Sequence, residues 1–124
     1  IGVSNVGHRH PNVLTAITAQ LHKYLHTMVY GEYVQSPQVL LAKALSETLP
    51  KPLESVYLVN SGSEAVEGAL KLAKRYTGRA EIISFQNAYH GSSQGALSAT
   101  GHEPFKQNFR PLIPGFRHLR FNEP

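Results

Sequence analysis

Two short stretches carry residue types that could do chemistry. The first is Asn60-Ser61-Gly62-Ser63, which runs into "EAVEGALKLAKRYTG", residues 64–78. The second is "QNAYHG", residues 86–91. A helix beginning just after Ser61 would present unpaired backbone N–H groups and a partial positive charge, which suit a phosphate. Gly62 would let an anion approach the backbone with no Cβ in the way, and Ser61 and Ser63 would add hydroxyl donors. Tyr89 offers a flat face, His90 a donor or acceptor, and Gly91 a tight turn. Together these groups fit a flat aromatic ligand that carries a phosphate.

The elements that must position them are readable from periodicity. Pro11 suits a first helical turn, and Leu14, Ile17, Leu21, Leu25 and Met28 recur at helical spacing, which predicts a helix over 11–27. Residues 29–35, "VYGEYVQ", lack that period and read as a loop. Ser36 as N-cap with Pro37 next predicts a second helix to Leu49, stopped by Pro50 and Pro52. "VYLV", residues 56–59, reads as a strand buried on both faces. The helix after it begins with the S-x-x-E capping box of Ser61 and Glu64. Its acidic Glu64 and Glu67 lie early, its basic Lys71, Lys74 and Arg75 lie late, and Gly78 fits a left-handed stop. "IISF", residues 82–85, reads as a second buried strand, giving a βαβ unit. With both strands parallel, their C-terminal ends share one sheet edge, where ligands of α/β folds bind. That shared edge is what sets the pair of turns apart from a capped helix and an ordinary loop.

Other chemistries are poorly supported. The stretch has neither G-x-x-x-x-G-K-[ST] nor G-x-G-x-x-G. His22 and His26 are four apart, but "HKYLH" lacks the Glu of H-E-x-x-H and no third ligand is evident, so no metal is expected. His8 and His10 read as turn and helix-entry residues, and Asn87 as a turn former. The 124 residues allow one domain at most, with 41% hydrophobic and 16% charged residues, as in folded chains. The net charge of +4 is spread out, so no nucleic-acid partner is expected. No apolar run is long enough for a membrane span, and there is no signal-peptide pattern. The absence of cysteine fits a reducing compartment, and a cytoplasmic location is expected.

"NSGSEAVEGALKLAKRYTGR" followed by "AYHGSSQGALSATG" resembles the cofactor-binding part of the class III (ornithine-type) aminotransferases, which use pyridoxal 5′-phosphate (PLP). "GHRHPNVLTAITAQLHK" and "RPLIPGFRHLRFN" are similar to flanking stretches of the same family, so the resemblance covers essentially residues 1–124. It implies part of the large domain of fold-type I PLP enzymes, a three-layer α/β/α arrangement with a mainly parallel sheet. It implies that Ser61, Gly62 and Ser63 hold the cofactor phosphate, that Tyr89 stacks on the pyridine ring, and that His90 lies beside it. It also implies a homodimer, with residues 30–36 as a candidate interface loop, and small-molecule substrates: an amino donor and a 2-oxo acid.

Many ornithine-type members carry Arg after the aromatic-His-Gly turn. Here Ser92 stands there, which weakens the specific assignment to an acetylornithine or ornithine substrate. The family's Schiff-base lysine and the aspartate that pairs with the pyridine nitrogen match no residue of the chain. The expectation is therefore a fragment: amino transfer in the intact protein, but no catalysis by these residues alone. Exposed sheet edges and helix faces should make it marginally stable or self-associating in isolation. The alternative reading is a non-catalytic phosphate- or cofactor-binding module.

Overall fold

The computed structural model describes residues 2–28 and 30–123. The chain forms two compact units, one up to Val56 and one from Tyr57 onward. The candidate residues all fall in the second.

The first unit holds α1 (Pro11–Leu21) and α2 (Ser36–Thr48). Pro11 opens α1, and the His10 Nδ1 accepts the Asn12 N–H at 3.3 Å, so His10 is the helix-entry residue. The helix stops at Leu21 rather than running to residue 27. The apolar period continues, but from Tyr24 the chain has no regular secondary structure and side-chain hydrogen bonds take up its backbone groups. The Gln20 side chain donates to the Tyr24 carbonyl at 2.8 Å. The buried Gln35 side chain accepts the Thr27 N–H at 3.3 Å and donates to the Met28 carbonyl at 2.6 Å. The Tyr24 hydroxyl accepts the Ser36 N–H at 2.9 Å. Backbone groups satisfied this way have no need of a helical ladder. His22 therefore caps α1 and His26 lies beyond it, so the two share no helix face. At α2 the cap is Gln35, one residue before the expected Ser36, and Ser36 and Pro37 are its first helical residues.

The second unit holds α3 (Gly62–Thr77), β1 (Ile82–Phe85), α4 (Gln94–Ala99) and β2 (Phe116–Leu119). Two short 3-10 helices, Glu103–Phe105 and Gln107–Phe109, lie between α4 and β2. Strands β1 and β2 pair in parallel with Ile82 opposite Phe116 and Phe85 opposite Leu119. The parallel pair is thus 82–85 with 116–119, joined by a crossover through α4. Residues 56–59 have no regular secondary structure and join no ladder among the described residues, and Tyr57 is 79% exposed. The expected strand there is corrected to an unpaired segment, because an apolar run becomes a strand only where a neighbour accepts its backbone bonds. β1 also alternates instead of being buried on both faces: Ser84 is buried, whereas Ile83 and Phe85 are exposed.

The most buried residues of this unit surround α4. Ala96, Leu97 and Ala99 are its buried apolar residues, with Ser98 and Thr100 enclosed beside them. Small side chains let β1 approach closely, and the buried Ser84 hydroxyl donates to the Ala99 carbonyl at 2.6 Å. At Gly101 the approach is tighter still. A Cβ there would overlap the Phe85 carbonyl oxygen and lie 2.8 Å from Gln86 Cα, and the Gly101 N–H donates to the Ala88 carbonyl at 2.9 Å. Among the described residues, no helix is long and apolar enough to cross a membrane.

Candidate functional site

Helix α3 starts where its capping residues require. Ser61 is the N-cap, and its Oγ accepts the Glu64 N–H at 3.1 Å. The Glu64 carboxylate accepts the Asn60 N–H at 2.7 Å, closing the capping box one residue further out than its usual form. At the other end Gly78 adopts φ 68° and its N–H donates to the Lys74 carbonyl. The cap satisfies Glu64, and the Ala65 N–H bonds the Ser61 carbonyl. The Gly62 and Ser63 N–H groups are left with no acceptor among the described residues. Nothing lies within 4 Å of the position a Gly62 Cβ would take, so that backbone is open. The hydroxyls of Ser61 and Ser63 each accept a backbone N–H, which leaves the O–H of each free to donate.

The turn after β1 is brought against this helix start. Asn87 takes φ 64° and the Ala88 N–H closes the turn onto the Phe85 carbonyl at 3.3 Å; the asparagine's contribution is its backbone conformation. The His90 N–H donates to the Thr100 hydroxyl at 3.0 Å, and Thr100 is fully buried. The Ser92 N–H donates to Ser63 Oγ at 3.2 Å, joining the Asn60–Ser63 stretch to the residue that follows the 86–91 stretch. Gly91, between them, has φ 134°. A Cβ on Gly91 would overlap Ser63 Oγ and lie 3.0 Å from both Ser63 Cβ and Ala96 Cβ. Only glycine lets the turn come this close.

A second tie lies one helical turn along. Glu67 Oε1 accepts the Ser93 hydroxyl at 2.6 Å, the Gly95 N–H at 2.7 Å and the Ala96 N–H at 3.1 Å. These bonds, led by that from Ser93, hold the carboxyl below its ordinary range, against an opposing contribution from burial; Lys71 adds a smaller attraction. Glu67 therefore serves the start of α4 rather than the dipole of its own helix.

The aromatic members are placed differently. Tyr89 is 62% exposed, and its ring stands at 73° to that of Phe105 with centroids 5.6 Å apart. Phe105 in turn lies against His102 at 4.7 Å. His90 Nε2 is buried without a hydrogen-bond partner among the described residues, a polar atom with bonding capacity in reserve. Elsewhere in the unit, the buried Lys106 ammonium lies 3.4 Å from His118 Nε2, and burial lowers its pKa, with Glu103 pulling the other way.

Unpaired helix-start donors, an open glycine and an exposed ring on a turn tied to that helix form an arrangement suited to a phosphorylated aromatic molecule. Comparison with known proteins gives the arrangement a lineage. The sequence profile of the family described as Aminotransferase class-III matches residues 1–124. The chain belongs to the class-III aminotransferases. A putative [LysW]-aminoadipate semialdehyde/glutamate semialdehyde transaminase of Pyrococcus abyssi is 45% identical over 123 residues, which is 99% of this chain and 33% of the relative. The structure of adenosylmethionine-8-amino-7-oxononanoate aminotransferase from Methanocaldococcus jannaschii is 37% identical with a TM-score of 0.83, covering 90% of this chain and 27% of that one. A PMP-bound aminotransferase from Vibrio fluvialis is 29% identical with a TM-score of 0.78, covering 90% of this chain and 26% of that one. The chain spans about a third of the length of the curated relatives it matches. Its α/β architecture and parallel strand pair are those of part of the large domain of fold-type I aminotransferases.

Within this class-III chain, sequence reasoning missed Glu67, Thr100 and Gly101 as parts of the site's support. Glu67 had a visible signal, since it follows Ser63 by four and so shares its helix face. Thr100 and Gly101 had none, because their roles depend on how closely α4 returns to β1.

Proposed function

We propose that the chain is a PLP-binding part of an aminotransferase large domain, in a protein that transfers an amino group between an amino acid or ω-amine and a 2-oxo acid. The observation that carries this reading is the Ser63–Ser92 hydrogen bond, which sets open phosphate donors and an exposed aromatic turn side by side. Gly62 and Ser63 N–H groups, with the hydroxyls of Ser61 and Ser63, would hold the phosphate. The Tyr89 ring would cover a face of the pyridine, and the unpartnered His90 Nε2 would lie beside it. When bound, PLP supplies the electron sink that amino transfer needs. This chain's own residues bind and orient. Of its six lysines, Lys106 is turned to His118, Lys43 pairs with Glu47, and none has a hydrogen bond to the Tyr89-His90 turn or the Ser61–Ser63 start among the described residues. The 124 residues alone therefore do not perform the transfer in this reading.

The same reading makes the protein a cytoplasmic homodimer. Exposed Tyr30, Tyr33 and Val34 in the 30–36 loop support an interface there. The names of the relatives differ in substrate, and Ser92 favours none of them.

Borohydride reduction of the PLP-loaded protein followed by peptide mapping tests the proposal. One stoichiometric pyridoxyl adduct, on a lysine outside these 124 residues, is expected. An adduct confined to Lys23, Lys43, Lys51, Lys71, Lys74 or Lys106 would overturn the assignment, as would a protein that retains no PLP.

A further inference from the structure

The site proposed above has two halves on separate elements: phosphate donors at the start of α3 and a ring-bearing turn after β1. PLP is a rigid ring with a short phosphate arm, so both halves serve it only at one spacing, and errors near 1 Å are expensive. Ser63 makes a weak spacer alone: its link to Ser92 is one bond between uncharged groups. Glu67 is placed to do better. It sits one turn along the same face of α3 and takes three donors from residues 93–96, immediately after Ser92. Bonds to a carboxylate are roughly twice as strong as bonds between neutral groups. The packing is specific as well: a Cβ on Gly95 would overlap the Glu67 carboxylate and lie 2.8 Å from its Cδ.

We propose that Glu67 is a positioning residue for the cofactor, clasping α3 to the Tyr89–Ser93 turn so that the phosphate donors and the stacking ring stand one cofactor length apart. This rests on the PLP reading above. Glu67 does not touch the cofactor in this account, so its loss should cost the two-point ligand far more than a ligand that uses the helix start alone.

The test compares the full protein with its Glu67→Ala and Glu67→Gln variants. Dissociation constants are measured for PLP by absorbance and for inorganic phosphate by 31P NMR, and exchange of the Ser92 amide is followed by hydrogen–deuterium exchange. In Glu67→Ala, PLP should bind at least tenfold more weakly while phosphate changes less than twofold. Ser92 should exchange faster, with the central amides of α3 unchanged. Glu67→Gln, which keeps an acceptor oxygen, should fall between and supplies the answer if the alanine variant does not fold. Unchanged PLP affinity overturns the proposal, as does equal weakening of PLP and phosphate, which would mean that the helix start itself is damaged. A wild-type protein that binds phosphate but not PLP would instead remove the PLP reading, and this proposal with it.

Discussion

Replacing Gly91 with alanine is a structural perturbation aimed at the contact between the turn and Ser63. Two costs add. Alanine is unfavourable at φ 134°, a region held at a cost of about 1–3 kcal/mol by residues other than glycine. The new methyl group would also overlap Ser63 Oγ and press on Ser63 Cβ and Ala96 Cβ at 3.0 Å, and such overpacking costs about 1–3 kcal/mol. The sum, about 2–6 kcal/mol, is a large part of the about 5–15 kcal/mol that stabilises a typical domain. Gly78→Ala separates the two costs, because Gly78 has φ 68° but nothing within 4 Å of its Cβ position. It should lose only about 1–2 kcal/mol. Urea unfolding followed by far-ultraviolet circular dichroism suits a chain without tryptophan. With a slope of about 1–3 kcal/mol per molar, the Gly91→Ala midpoint should drop by about 1 M or more, and by clearly more than that of Gly78→Ala. Equal midpoints for the two variants would refute the claim that the turn packs against Ser63.

Ser61 combines a cap with a proposed ligand donor, and two substitutions part the roles. Ser61→Ala should lose about 1 kcal/mol and melt about 3–6 °C lower, whereas Ser61→Asp should keep the cap and the melting temperature yet repel a phosphate, weakening PLP binding at least tenfold. Glu67 predicts a pH dependence. Its folded pKa lies below the ordinary 4.5, so its stabilisation is complete above that value and is lost as pH falls through the folded one. The stability advantage of the wild type over Glu67→Gln, about 1–3 kcal/mol at neutral pH, should therefore shrink in urea titrations below pH about 4.5. Lys106 has a linkage of the same sign in a different window: burial lowers its pKa from 10.5, so unfolding takes up protons and stability rises toward alkaline pH. Lys106→Met should flatten that rise in thermal melts between neutral pH and pH about 10.

Local rules in the sequence were reliable where local bonds decide the structure. Ser61, Glu64 and Gly78 delimit α3 because each acts on backbone within a few residues of itself. The meeting of the Ser61–Ser63 start with the turn after residue 85 was also legible, although by way of α4 and not through a strand at 56–59. What was not legible depends on distant partners. Gln35, thirteen residues after His22 in an apparently featureless loop, takes the Thr27 N–H and Met28 carbonyl, so the segment expected to close the first helix bonds a side chain instead. Ser84 turns one face of β1 to α4 through the Ala99 carbonyl, which hydrophobicity alone would not reveal. Glu67 looked like a dipole partner for its own helix: its spacing from Ser63 gives its face, but not Ser93, Gly95 and Ala96 as its donors.

The most direct measurement is PLP affinity in the Gly62→Ala variant beside the wild type, with thermal melts of both. The Cβ position at Gly62 is empty, and alanine is the better helix former, so the variant should be as stable as the wild type to within about 1 kcal/mol. The methyl group would stand where the phosphate meets the backbone. A stable variant that binds PLP at least tenfold more weakly is the predicted result. An equally stable variant with unchanged PLP affinity would contradict the placement of the phosphate at the start of α3.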